Sequence, residues 1–120
     1  MENVAVIGAS RKPERYSNKA IRMLAEYGHN AIPVAPADTE IEGRKAYPKL
    51  ADIPETIDTV TMYVGPARQT DLIAEIIALA PRRVIFNPGT ENPEAYPRLE
   101  AAGIETIEAC TLVLLRSHQF

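Results

Sequence analysis

Short apolar runs alternate along this chain with longer segments whose apolar residues recur at helical spacing. Uninterrupted apolar runs are typical of strands covered on both faces, and they predict five strands, at 4–7, 31–34, 58–64, 83–86 and 104–108. Strands that alternate with helices imply right-handed crossovers and parallel pairing. We therefore predict an α/β, three-layer, Rossmann-like fold with a five-stranded, mostly parallel sheet in the order 3-2-1-4-5.

Capping and breaking residues mark the helices between these strands. Ser17 is the predicted N-cap of the first helix, and Gly28 follows its end, where glycine commonly closes a helix. Pro66 opens the second helix, because the first turn of a helix does not need its missing N–H group. A third helix covers about 94–102, and residues 110–115 fit either a short helix or a strand.

Proline restricts two further segments. Pro33 lies inside the second strand. It fits only a short strand or one near a sheet edge, because proline cannot donate to the hydrogen-bond ladder. Residues 36–56 contain three prolines and a glycine, so they are predicted to be mostly loop.

The composition is that of one folded domain. The chain has 120 residues, of which 46% are hydrophobic, so we expect a single domain over residues 1–120 rather than a disordered segment. One cysteine excludes an intramolecular disulfide and fits a reducing compartment. The first residues lack the pattern of a signal peptide, and no apolar run approaches the ~20 residues of a membrane-spanning helix. We therefore expect a cytoplasmic protein without a membrane partner.

Charge is distributed unevenly along the chain. The formal net charge of -3 argues against nucleic acid as a partner, because nucleic-acid binding usually needs a basic face. Basic residues nevertheless cluster near the start, at Arg11, Lys12, Arg15, Lys19 and Arg22, whereas glutamates cluster near the end. Two interpretations stay open, namely a pair of solvated faces and an anion site beside the basic cluster.

The predicted sheet places a ligand site at the carboxyl ends of its strands, where the winding direction reverses. In the order 3-2-1-4-5 this point lies between strands one and four, whose following loops begin at Gly8 and Asn87. Small residues and free amides at a helix start favour phosphate, although ordinary strand-to-helix turns look the same. The candidate phosphate-binding residues are Gly8, Ala9, Ser10, Arg11, Lys12, Arg15, Ser17, Asn18, Asn87 and Gly89.

The first loop departs from the dinucleotide-binding fingerprint. G-x-G-x-x-G would require glycine at the positions of Ser10 and Pro13, and no acid follows the second strand before Asp38. NAD(P) is therefore disfavoured as a cofactor, but it stays open as the alternative.

Several short segments together carry a resemblance to a known family. They are V-A-V-I-G-A-S at 4–10, P-V-A-P at 33–36, Y-P-K-L at 47–50, N-P-G-T-E-N at 87–92, A-G-I-E at 102–105 and C-T-L-V-L-L-R at 110–116. In this order and spacing the chain resembles the small stand-alone CoA-binding domain family. That family is similar in fold to the nucleotide-binding domain of the succinyl-CoA synthetase α subunit.

The resemblance implies coenzyme A as the ligand and a Rossmann-like fold. The phosphates would lie against the loop after the first strand, and the turns after the next three strands would line the rest of the site. The implied contacts are Gly8, Ala9 and Ser10, then Val34 and Pro36, then Val64 and Pro66, then Asn87 and Gly89. Many relatives carry asparagine where this chain has Ala35.

No residue is assigned a catalytic or metal-binding role. Cys110 precedes an apolar run, which favours a structural thiol over a reactive one, and His29 follows the glycine that ends a helix. The predicted function is a module that binds CoA, acyl-CoA or a similar nucleotide. The alternative is a small enzyme that uses NAD(P) or the Cys110 thiol. The apolar tail leaves self-association open.

Overall fold

The structure, a computed structural model, describes residues 1–120. Its strands are β1 (Asn3–Ile7), β2 (Asn30–Val34), β3 (Glu40–Ile41), β4 (Arg44–Lys45), β5 (Thr59–Met62), β6 (Arg83–Phe86) and β7 (Glu105–Glu108). Its helices are α1 (Tyr16–Glu26), α2 (Thr70–Leu79), α3 (Tyr96–Ala101) and α4 (Thr111–Arg116). Single 3₁₀ turns lie at Leu50–Asp52, Pro66–Arg68 and Pro93–Ala95. All five predicted strands are present, and the ambiguous tail is a helix.

The main sheet is parallel throughout, as predicted, but its strand order is not the predicted one. The five strands lie in the order β2-β1-β5-β6-β7, which is 2-1-3-4-5 when they are numbered along the chain. The predicted order 3-2-1-4-5 is therefore wrong. The observed order is the other common doubly wound arrangement, in which the winding reverses between the first and third strands. The switch point lies between β1 and β5, not between β1 and β6.

Burial explains why β5 occupies the centre of the sheet. All of its residues are buried, including Thr59 and Thr61, which have no exposed surface. β2 instead lies at the edge of the sheet, where its Pro33 accepts a hydrogen bond from the Tyr47 N–H through its carbonyl. A proline without an N–H donor is tolerated at such an edge.

Helices cover both faces of the sheet. Ile21 and Leu24 of α1 pack with Leu115 of α4 against one face. Ile76 of α2 and Leu99 of α3 belong to the larger apolar cluster on the other face. No helix has the length and apolar character needed to cross a membrane.

The start of α1 differs from its prediction. The N-cap is Arg15, in an extended backbone conformation, and no side chain caps the helix. Ser17, the predicted N-cap, lies in the first turn and is buried there. Pro66 opens a 3₁₀ turn that ends at Arg68, and α2 begins after it.

Candidate functional site

A cleft of about 760 Å³ opens at the carboxyl ends of β1 and β5, where the winding of the sheet reverses. Its walls come from the loop after β1, the start of α1, the turn after β2 and the loops that follow β5 and β6. Ligands of doubly wound sheets bind at this point. The observed strand order therefore places the loop after β5, Tyr63 to Gly65, at the centre of the site.

Gly8 brings the loops after β1 and β5 into contact. Its φ of +86° lies in the region that favours glycine, and a Cβ atom there would lie 3.0 Å from the carbonyl carbon and oxygen of Tyr63 and from Cγ2 of Val64. A larger residue would therefore be strained and would also push these loops apart. Gly8 thus shapes the floor of the cleft.

Hydrogen bonds within the protein fix the loop after β1, residues 8–15, which we call the first loop. The N–H groups of Gly8 and Ala9 donate to the carbonyl of Val34, each over 3.2 Å. The Lys12 N–H donates to Ser10 Oγ over 3.1 Å, and Asn18 Nδ2 donates to the Ser10 carbonyl over 2.9 Å. The loop is therefore held on both sides, by β2 and by α1.

The first loop leads into a helix start suited to an anion. The first N–H groups of a helix have no intrahelical acceptors, and α1 has neither a capping side chain nor an acid in its first turn. The cleft lining also includes Lys12 and Arg15 on this side and Arg68 on the opposite wall. Unpaired amides, the positive end of the helix dipole and three cations together favour a phosphate-bearing ligand.

Most residues named from the sequence line this cleft. Arg11 is exposed on the first loop but lies outside the lining, and Pro66 is exposed at the start of the turn that carries Arg68. The residues that do line it are Gly8, Ala9, Ser10, Lys12, Ser17, Val34, Pro36, Val64 and Gly89.

The two named asparagines are buried and already have protein partners. Asn18 donates to the Ser10 carbonyl and to the Glu42 carboxylate, and its Oδ1 accepts from Arg22 Nε over 2.8 Å. Asn87 also lies outside the cleft lining, and both ends of its amide are bonded within the protein. Their amides hold the walls of the cleft in place.

Asn87 joins three elements beneath the loop after β6. Its Nδ2 donates to Thr61 Oγ1 over 2.8 Å and to the Met62 carbonyl over 2.9 Å, while its Oδ1 accepts the Thr111 N–H over 2.9 Å. The hydroxyls of Thr61 and Thr111 bond each other over 2.8 Å. This buried polar group ties β5, β6 and α4 together.

Gln69 performs a similar task on the other side of the same loop. It is fully buried, and its Nε2 donates to the carbonyls of Val64 and Thr90, both over 2.8 Å. Its Oε1 accepts from Asn92 Nδ2 over 3.1 Å. Gln69 therefore clamps the loop after β5 to the loop after β6. This residue was not predicted from the sequence, because an isolated glutamine before a helix carries no pattern.

Several cleft residues were not assigned to the site from the sequence. Arg68 is the most significant, because it supplies charge opposite the first loop. Its position two residues after Pro66 was the available signal. The others are Ile7, Tyr16, Pro48, Tyr63, Leu72 and Thr90. Arg15, predicted to add positive charge at this site, lines the cleft, as do Gly65 and Pro88, which lie within the two turns that the resemblance implied.

A second, smaller cavity of about 240 Å³ lies beside the cleft. It is lined by Tyr16, Tyr63, Asn87, Pro88, Cys110 and Leu112. The Tyr63 hydroxyl is buried and has no hydrogen-bond partner. Burial is the main reason why the pKa of Tyr63 is raised to about 12, so the phenol is neutral at physiological pH.

The remaining candidate chemical groups lie apart. His29 contacts the amino end of the sheet, where its Nδ1 accepts the Glu2 N–H over 3.0 Å. Cys110 is half-buried at the N-cap of α4. No group of three or more His, Cys, Asp or Glu side chains is arranged to hold a metal ion.

Comparison with known proteins identifies relatives along nearly the whole chain. A crystal structure of an uncharacterized protein has a TM-score of 0.94, with 39% identity, and the match covers 100% of this chain and 98% of that one. The uncharacterized protein YneT of Bacillus subtilis is 28% identical over 102 residues, which are 85% of this chain and 76% of YneT.

A third relative is much longer than this chain. The alpha subunit of ADP-forming acetate–CoA ligase II from Pyrococcus furiosus is 36% identical over 62 residues, which are 51% of this chain but only 14% of that subunit. The family described as "CoA binding domain" matches residues 2–116. This chain therefore belongs to the CoA-binding domain family, a membership that supports coenzyme A as its cofactor.

Proposed function

We propose that this chain is a module that binds coenzyme A or its thioesters, with the phosphates at the start of α1. The observation that carries the proposal is the uncapped first turn of α1, which opens on the cleft beside Lys12 and Arg15. Coenzyme A has a pyrophosphate and a further phosphate on its ribose. Unpaired helix amides and cations are the groups that bind such oxygens.

The rest of the cleft fits the remaining parts of the ligand. Val34, Pro36 and Pro48 form an apolar wall beside the first loop, suited to the adenosine end. Gly65, Leu72 and Gly89 lie on the side of β5 and β6, where the pantetheine arm would run. Arg68 on that side is placed for a second contact with phosphate.

A binding role fits the kinds of group that line the cleft. The polar side chains of its lining residues are hydroxyls and cations, with no carboxylate among them, and such groups hold phosphates in place. We therefore propose that residues 1–120 form one nucleotide-binding domain, which holds its ligand through a phosphate-binding loop at residues 8–15. The lone cysteine supports a reducing, cytoplasmic location for it.

Calorimetric titration tests the choice of ligand. CoA, acetyl-CoA, NAD, NADP and ATP would be titrated separately into the purified protein at one salt concentration. Saturable binding of CoA that is clearly tighter than binding of NAD or NADP is expected. Absence of CoA binding, or preference for a nicotinamide nucleotide, would contradict the proposal.

A pair of charge reversals tests the position of the phosphates. Lys12→Glu should weaken CoA binding by at least about tenfold, because it replaces a charge-assisted contact with repulsion. Arg11→Glu is the matched control, since it makes the same charge change on the adjacent residue, outside the cleft lining. The smaller loss of CoA affinity expected for Arg11→Glu measures only the long-range electrostatic attraction, which salt screens. Equal losses in the two variants would show that the phosphates do not lie at the cleft wall.

A further inference from the structure

The smaller cavity adjoins the cleft. Tyr16, Tyr63 and Pro88 line both spaces. Tyr16 is the first residue of α1, so one side of the cavity adjoins the helix start where the phosphates are proposed to bind. Pro88 follows β6, which lies two strand spacings, or about 10 Å, from β1. A flexible arm that starts at the phosphates can therefore reach the cavity along the cleft.

The lining of this cavity is suited to hydrocarbon. Pro88 and Leu112 are apolar, and Tyr16 and Tyr63 are aromatic. Asn87 is its only amide, and both ends of that amide are already bonded to β5 and α4. Only the Tyr63 hydroxyl is buried there without a partner. The lining is otherwise mostly apolar, which favours an apolar occupant over water.

We propose that the smaller cavity binds the short acyl chain of a CoA thioester. This inference rests on the proposed function, because the thioester end reaches the cavity only when the phosphates occupy the cleft. The cavity volume of about 240 Å³ limits the occupant. It is below the roughly 300–1,000 Å³ of pockets that enclose drug-sized ligands. A cavity of about 150 Å³ holds the six carbons of benzene, so this cavity limits the chain to about ten carbons.

The Cys110 thiol forms part of the cavity wall. Cysteine behaves as a small apolar residue in such a position. The inferred binding is noncovalent, and the volume that Cys110 leaves free is the property that selects the acyl chain.

A series of thioesters tests the inference on the unmodified protein. Affinities for CoA, acetyl-, propionyl-, butyryl-, hexanoyl- and palmitoyl-CoA would be measured by calorimetry. Each buried methylene should improve affinity by up to about fourfold, until the cavity is full, and palmitoyl-CoA should gain nothing over the best short chain. Equal affinities for CoA and all its thioesters would overturn the inference while leaving the proposed function intact. Failure of every CoA species to bind would overturn both.

Substitutions that change the volume of the cavity provide the second test. Cys110→Phe should remove the chain-length preference and leave the affinity for free CoA within about twofold, because the phosphate contacts are separate. Val113→Phe is its control, since Val113 lies on α4 but is 55% exposed and outside the cavity. Leu112→Ala should shift the preference to longer chains. An unchanged preference in both Cys110→Phe and Leu112→Ala would overturn the inference.

Two conservative variants separate volume from chemistry. Cys110→Ser keeps a side chain of similar size and should retain the chain-length preference. Tyr63→Phe removes a buried hydroxyl that has no partner, so it should also retain the preference. Loss of the preference in Cys110→Ser would overturn the noncovalent account, as would a stable acyl adduct on Cys110 detected by mass spectrometry.

Discussion

Two loops look alike in sequence but differ in structure. One is the first loop, residues 8–15. The other follows β6 and covers residues 87–92, and we call it the second loop. Both follow a buried strand and contain a glycine with positive φ, Gly8 at +86° and Gly89 at +91°. The first loop leads into an uncapped helix, and its Lys12 and Arg15 line the cleft. The second loop is held by the buried side-chain amides of Asn87 and Gln69.

The bonding of the second loop leaves it little capacity to bind an anion. The Gly89 N–H donates to the carboxylate of Glu91 over 2.8 Å, and the Thr90 hydroxyl donates to the Asn87 carbonyl over 2.8 Å. In the first loop the bonds fix the shape but leave the helix amides without side-chain partners. Glycine therefore marks a tight turn in both loops, while local charge and the bonding of the loop amides decide whether the turn can bind an anion. The first loop presents Lys12 and Arg15, whereas the second loop bonds its Gly89 N–H to its own Glu91 carboxylate.

The largest expected effect on stability is at the base of the second loop. Asn87→Ala should lower the free energy of unfolding by about 3–5 kcal/mol, because it removes three hydrogen bonds and leaves buried groups of Met62 and Thr111 unpaired. Urea denaturation followed by circular dichroism measures the change. Glu91→Ala, in the same loop but exposed, should cost less than about 1 kcal/mol. Similar losses in the two variants would remove the structural role assigned to Asn87.

A pair of glycine substitutions compares the two loops directly. Gly89→Ala should cost only about 1–2 kcal/mol, the strain of its positive φ, because a Cβ atom there meets open space. Gly8→Ala should cost about 1–3 kcal/mol more, because its Cβ also meets the Tyr63 backbone at 3.0 Å. Thermal unfolding of both variants measures the difference. Equal destabilisation would mean that the loops after β1 and β5 are not in the close contact described.

The smallest expected effect lies at the amino end of the sheet, which serves as a reference remote from both loops. Burial lowers the pKa of His29 below its ordinary value of 6.5, although the nearby Glu2 carboxylate raises it in part. The unfolded chain therefore binds a proton at His29 before the folded protein does. The stability that the folded protein gains from keeping His29 neutral is fully present above pH 6.5 and is partly lost as the pH falls below this value.

Urea denaturation at several pH values between about 7.5 and 5.5 measures how the free energy of unfolding depends on pH. His29→Gln should flatten the curve, and His118→Gln, at the other and exposed histidine, should leave its slope unchanged. Because His29 is only half-buried, the slope should be small. If the pH dependence of the unfolding free energy kept the same slope in His29→Gln, it would arise from groups other than His29.

The sequence contained the signal for the observed strand order, but not in the form of hydrophobic periodicity. Pro33 favoured a position near a sheet edge, and the observed order places β2 at the edge itself, although a short β2 next to an edge strand met the same condition. The apolar runs predict where strands lie but not which strands are neighbours. Neighbours depend on the path of the long connection from residue 35 to residue 58, which has no regular pattern.

The candidate site was predictable to the extent that it depends on local chemistry. Gly8, Ser10 and Lys12 were named because turn residues and basic charge are visible in the sequence. The bonded state of Asn18 and Asn87 depends on partners 4 to 26 positions away, most of them distant, so no local pattern distinguishes a ligand-binding amide from a structural one. Arg68 was missed for the same reason, since only the observed strand order places it opposite the first loop.

The internal bonding of the first loop has a consequence for the kinetics of binding. Asn18 and Val34 hold the loop through hydrogen bonds that involve no ligand, so association does not have to order it and loses little conformational entropy there. The association rate is then set by diffusion and by the attraction of Lys12 and Arg15 for a negative ligand, and it should fall with ionic strength. Discrimination between related ligands is left to the dissociation rate.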